Sequence, residues 1–173
     1  MGADTSFIAA FGDDYYTEML ETEMKKHNVN TKTCYRLNNS KIPCGQAYIF
    51  LLPDGDNSII VIPSANASWP ETLNEEQIGA IQTSDCVLLQ REVPEIYNIR
   101  IAKAAKQKGI KVILDVGGED SIISKDLLEL IDILSPNETE LQRLMTYYGD
   151  QKMKYNITSS KYSTVNKIKS ACA

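Results

Sequence analysis

Histidine is nearly missing: His27 stands alone among 173 residues. Cys34, Cys44, Cys86 and Cys172 include no C-x-x-C pair. Together these argue against a zinc site, which needs a cluster of imidazole and thiolate ligands. A Ser-His-Asp triad has no convincing third member, because His27 falls in a helical pattern. No apolar run approaches the ~20 residues of a membrane span, and the N-terminus lacks a basic stretch followed by an apolar core. Positive charge is also short. Lys and Arg number 18 against 23 acids, a net charge of -5, which argues against general nucleic-acid binding. Neither G-x-x-x-x-G-K-[ST] nor G-x-G-x-x-G occurs, so neither glycine-rich phosphate loop is present. The cysteines read as free thiols in a reducing compartment, and the chain as cytoplasmic. The N-x-[ST] patterns at Asn38, Asn66, Asn137 and Asn156 then carry no meaning.

What is present is an ordinary apolar content, 43%, in a chain long enough for one sizeable core. "SFIAA" (6–10) reads as a strand closed by the turn Gly12, Asp13, Asp14. Residues 15–27 follow at helical spacing, with Tyr16, Met19, Leu20 and Met24 expected to pack on a sheet. "TCYRL" (33–37) is a strand. The runs at 46–52 and 58–62 flank Pro53, Asp54, Gly55 and Asp56, which predicts an antiparallel hairpin. That hairpin is apolar on both faces and so needs cover. From residue 74 the chain alternates helix and strand: a helix near 74–81, buried strands at 85–90 and 111–116, helices at 94–108 and 124–131. The second helix is expected to bury Ile96, Ile99, Ala102 and Ala105, and Gly109 stands where its C-terminus wants positive φ. Beyond Met145 the sequence turns polar, and 149–173 reads as a weakly ordered tail or one last amphipathic helix.

Strand-helix alternation at this spacing implies an α/β fold with a parallel sheet and right-handed crossovers. Ligands of such sheets bind beyond the carboxyl ends of the strands. Here those ends carry Gly12 and Asp13; Gln90, Arg91 and Glu92; Asp115 to Gly118; and Ser135, Pro136 and Asn137. The last leads into Asn137-x-x-Glu140. As a capping box this explains itself: Asn caps a helix and Glu reaches back to the cap's amide. A helix N-terminus at a strand's carboxyl end also attracts phosphate, and a carboxylate there suits Mg²⁺ held through waters. The spacing allows both.

The order of these features resembles the ribokinase-like (PfkB) family of carbohydrate kinases, over residues 6 to 145. The residues that carry the likeness are "FIAAFGDD", "GQAYIFLLPDGDNSIIVIPSANA" (45–67), "VLLQREVP" (87–94), "VILDVGGE" and "DILSPNETEL". The resemblance implies a ribokinase-like α/β core over 1–148, a small β lid with strands near 33–37 and 46–62, and phosphoryl transfer from ATP, with Mg²⁺, to a sugar hydroxymethyl, ribose favoured. It assigns Glu92 to the sugar, Asn137 to the nucleotide phosphates, Glu140 to the metal and Asn66 to the lid exit. It implies a homodimer through the lid strands. Three departures stand out. Thr17 occupies a place where glycine is common. "DVGGED" replaces a proline-rich stretch. The family's glycine-rich sugar motif and its G-A-G-D motif, source of the catalytic base, do not occur. The chain therefore reads as the central portion of a kinase, inactive alone, with no catalytic residue assigned. The rival reading is a non-catalytic α/β domain that dimerises through the hairpin.

Overall fold

The computed structural model describes residues 2–38 and 41–148, so the expected tail lies outside the described residues. Its elements are β1 (Thr5–Ser6), β2 (Ala10–Phe11), α1 (Tyr15–Lys26), β3 (Val29–Asn30), β4 (Tyr35–Arg36), β5 (Gln46–Leu51), β6 (Asn57–Ile62), a 3-10 turn (Ser64–Ala67), α2 (Glu75–Gln82), β7 (Cys86–Leu89), α3 (Glu95–Lys106), β8 (Lys111–Asp115), α4 (Lys125–Leu128), β9 (Ile133–Ser135) and α5 (Glu138–Tyr148).

The central sheet is β7-β8-β9, parallel throughout, with Leu89 opposite Leu114 and Leu114 opposite Leu134. Alternation along the strands sorts its two faces. Val112, Leu114 and Leu89 face Ile101, Ala105 and Leu127 of the helices, forming the core. Each such leucine contributes about 1.5–3 kcal/mol on burial. The other face is uncovered among the described residues: Leu88 is 72% exposed and Ile133 51%. The strands at 85–90 and 111–116 were expected to be buried; only one face of each is fully so. At the opposite, amino-terminal end of β8, Asp132 accepts from Val112 N (2.8 Å), Lys106 Nζ (2.6 Å) and Lys111 Nζ (3.2 Å). Burial pushes its carboxyl up, but these donors outweigh that and hold it at about 2.

The caps explain where the helices start. Asp14 accepts from Thr17 N at α1, Ser124 from Leu127 N at α4, and Asn74 and Gln77 form a complete capping box at α2. Gly109, at φ 70°, ends α3 as predicted. On α3 the buried set includes Ile101, Ala102 and Ala105, with Ile99 partly buried against the core; Ile96 is exposed.

Three expectations need correcting. The strand at 6–10 is two short pieces, β1 pairing with β3 and β2 with β4. The segment at 33–37 does not join the lid hairpin: Tyr35–Arg36 pairs in parallel with Ala10–Phe11, since the turn after α1 brings it back beside the strand that precedes α1. The apolar face of α1 does not pack on a sheet. Tyr16, Met19 and Leu20 are exposed and only Thr17 is buried, because no described element lies over that face. The hairpin is as expected: β5 and β6 pair antiparallel from Gln46↔Ile62 to Leu51↔Asn57. Its two faces are open, with Phe50, Leu51, Ile60 and Val61 all exposed. Among the described residues no helix is long and apolar enough to cross a membrane.

Candidate active site

Because β7, β8 and β9 run parallel, their carboxyl ends form one edge. Two glycines sit at its middle. A Cβ on Gly117 would lie 3.0 Å from Asp115 Oδ1 and 3.4 Å from Glu140 Oε1; one on Gly118 would lie 2.6 Å from Glu92 Cγ. Glu92 and Glu140, 48 residues apart in sequence, thus flank adjacent glycines. Gly118 has φ 94°, a conformation that only glycine adopts without strain.

Asn137 and Glu140 form a full capping box on α5. Glu140 N donates to Asn137 Oδ1 (2.9 Å), Asn137 N to Glu140 Oε2 (2.8 Å), and Asn137 Nδ2 to Glu140 Oε1 (2.7 Å). The capping reading is therefore realised. It does not exhaust the carboxylate, which has about four acceptor sites, of which two are used. Asp115, whose Oδ1 accepts from Gly117 N (2.8 Å), adds a second hard oxygen donor beside the same glycine. Two carboxylates that keep free lone pairs fit Mg²⁺, which takes one or two carboxylates, waters and substrate phosphates. No group of three or more metal-ligating side chains occurs among the described residues.

Glu92 is exposed and its backbone N–H donates to Gln90 Oε1. The carbonyl of Gln90 accepts from Asn98 Nδ2 (2.6 Å), and Asn98 is buried in α3. A rigid helix thus holds the loop that presents Glu92. Arg91, one residue earlier, is only 4% exposed. It entered the sequence reading as one polar residue among several on this edge. A cation directly after an apolar strand was the one signal that could have singled it out.

The base of the hairpin is a second cluster. A Cβ on Gly12 would fall 2.3 Å from Cys44 N and from Pro43 C. Asp13 N donates to Ile42 O (2.8 Å) and Cys44 N to Asp14 Oδ2 (3.0 Å). Burial would raise the Asp14 carboxyl, but the Cys44 and Thr17 amides outweigh it and hold it below its ordinary value. Thr17, in the place where a glycine was expected, donates its buried hydroxyl to Gly12 O (2.7 Å) and lies 3.0 Å from Cys44 Sγ. Asn66, expected at the lid exit, is half-buried: its Nδ2 would lie 2.9 Å from a Cβ on Gly45, and its carbonyl accepts from Trp69 Nε1 (3.0 Å). Trp69 stacks on Tyr97 of α3, ring centres 5.1 Å apart. Both ends of the hairpin are thereby tied down, one to the turn before α1 and one to α3.

Residues 1–154 match the model of the pfkB family of carbohydrate kinases. The chain belongs to that family. It is 41% identical over 141 residues to a ribokinase of Arabidopsis thaliana, covering 81% of this chain and 37% of that one. It is 33% identical over 159 residues to a ribokinase of Staphylococcus aureus, covering 90% and 51%. The solved structure of Arabidopsis thaliana ribokinase complexed with ribose and ATP superposes with a TM-score of 0.77 at 37% identity, over 97% of this chain and 51% of that one. The fold of this pfkB chain is thus ribokinase-like α/β, as its sequence implied. The chain spans about half the length, or less, of the relatives it matches.

Proposed function

We propose that this pfkB-family chain is the part of an ATP-dependent sugar kinase that carries a sugar contact, the Mg²⁺ contact and the lid, with ribose as the favoured sugar. The observation that carries the reading is the placement of Glu92 and Glu140 on either side of Gly117 and Gly118. One carboxylate is free to accept from sugar hydroxyls. The other stands at a helix N-terminus, where phosphate is favoured. In the family reaction a sugar hydroxyl oxygen attacks the γ-phosphorus, the bond to the ADP oxygen breaks, and the hydroxyl proton passes to a base. No residue of this chain is assigned as that base.

The residues present act by positioning. Glu92 would orient the sugar, Asn137 and the first N–H groups of α5 would receive nucleotide phosphate, and Glu140 would hold Mg²⁺. Mg²⁺ supplies the positive charge that offsets charge on the transferring group. The hairpin acts as a lid that keeps water from the phosphoryl group. Its exposed apolar faces support a homodimer in which one lid covers another. The reading places the protein in the cytosol, with ATP.

Calorimetric titration of the chain with ribose, then with ATP and Mg²⁺, tests this. A saturable ribose signal weakened about tenfold by Glu92→Gln is expected, the loss of one charge-assisted hydrogen bond. A wild-type chain that takes no ribose overturns the sugar assignment. The hairpin also favours a second reading, a non-catalytic domain that dimerises through β5 and β6. That reading predicts dimers in sedimentation, broken by Ile60→Lys, with no affinity for sugar or nucleotide.

A further inference from the structure

We infer that Arg91 is a positioning residue: it holds the loop 117–121 against Glu92 and so shapes the sugar end of the edge. The inference rests on the reading of Glu92 as a sugar contact. Glu92 is exposed over Gly118, and Arg91 points inward and is 4% exposed. Its guanidinium reaches across to the next strand's loop, Nη1 donating to Glu119 O (2.8 Å) and Nη2 to Ser121 Oγ (2.9 Å). The Glu119 carboxylate is farther, 3.9 Å from Nη2, and its side chain is half in water.

Arginine cannot shed its charge, and an arginine this deep is rare unless paired. Here the two good acceptors are neutral groups of a single loop. The desolvated cation is therefore compensated only while that loop stays in place, which makes loop and arginine mutually dependent. From the other side Asp120 pairs with Arg143 of α5, the helix that carries Glu140. The loop is thus strung between two arginines. Its Gly118 lies against Glu92, and a Cβ there would also fall 3.2 Å from Glu92 N and 3.3 Å from Arg91 C. Loss of the Arg91 arm frees the side of the loop that faces Glu92 and leaves the Arg143 arm in place. Lysine, a point charge, cannot span both acceptors as the planar fork does.

The test compares Arg91→Met, Arg91→Lys and Ser121→Ala with wild type in the 173-residue chain, by amide hydrogen exchange and by ribose and MgATP titration. Arg91→Met is expected to speed exchange in 117–121 and leave Val112 and Leu114 unchanged. It is expected to weaken ribose about tenfold, the worth of one hydrogen bond to a charged group, while MgATP affinity stays within about twofold. Arg91→Lys falls between. Ser121→Ala removes one acceptor without emptying the buried site, so it decides the matter if Arg91→Met does not fold: faster exchange confined to 117–121 is expected. Unchanged loop exchange in the variants that fold overturns the inference. So does equal weakening of ribose and MgATP together with faster core exchange, the mark of a merely structural arginine. A wild-type chain that binds no ribose removes the sugar reading of Glu92, while the exchange data still decide whether Arg91 holds the loop.

Discussion

Gly12→Ala adds one methyl group to the tightest backbone crossing at the hairpin's base. The new Cβ would sit 2.3 Å from both Cys44 N and Pro43 C, and 2.7 Å from Ile42 O. Carbon contacts normally settle near ~3.5–4 Å, so the crossing segments must part by roughly an ångström or more. All three atoms are backbone, and no rotamer change relieves them. Overpacking of this kind costs about 1–3 kcal/mol. The displacement also breaks or stretches Asp13 N to Ile42 O (2.8 Å) and Cys44 N to Asp14 Oδ2 (3.0 Å), each worth about 0.5–1.5 kcal/mol. A total near ~3–4 kcal/mol is a large share of the ~5–15 kcal/mol available to a domain. Urea unfolding followed by circular dichroism measures it: with a slope of about 2 kcal/mol per molar, the midpoint falls by roughly 1.5–2 M. Gly79→Ala is the internal control. Nothing lies within 4 Å of its Cβ, and it is inside α2, so it is expected to stabilise by about 0.5–1 kcal/mol. A Gly12→Ala chain within ~1 kcal/mol of wild type would refute the claim that this crossing anchors the hairpin.

Glu140→Gln removes the charge and turns one of the two oxygens that accept from Asn137 into a donor, so it is expected to cost about 1 kcal/mol of stability while calorimetric MgATP affinity falls; Asn137→Ala should lower both, with about 1 kcal/mol lost from the cap. Asp132 has a folded-state pKa lowered from 3.8 to about 2, so its contribution is present above pH ~4 and lost as pH falls toward ~2. Asp132→Asn should therefore cost on the order of 1 kcal/mol at neutral pH, and the gap between it and wild type should close in acid, read from urea midpoints across pH 2–6. Partial burial pushes the Cys34 thiol up to about 11, which leaves about one in a thousand as thiolate at pH 8; mass-mapped alkylation should label the exposed Cys86 before the half-buried Cys34, and equal rates at the two would contradict that difference.

The sequence by itself determined what local chemistry encodes. The alternation of periods marked α2, β7, α3 and β8 to within a few residues, Asp-Gly between apolar runs marked the hairpin, and Gly109 marked a helix end. Asn137 and Glu140 could be read as a capping box from three-residue spacing alone, and the family was legible in the same motifs. Tertiary structure decided what depends on distant segments meeting. Periodicity says which side of α1 is apolar, but only the fold shows that Tyr16, Met19 and Leu20 lie uncovered. It cannot say that Tyr35–Arg36 pairs with Ala10–Phe11 rather than with the hairpin, because two-residue strands carry no pattern that names a partner. Glu92 and Glu140 came to flank adjacent glycines only when parallel pairing set their strand ends on a common edge. Arg91 stood in the sequence only as one polar residue among several at a strand's end, because sequence records charge and not burial. Its role emerged from the loop that crosses above it, whose carbonyl and hydroxyl allow a guanidinium to stay out of water.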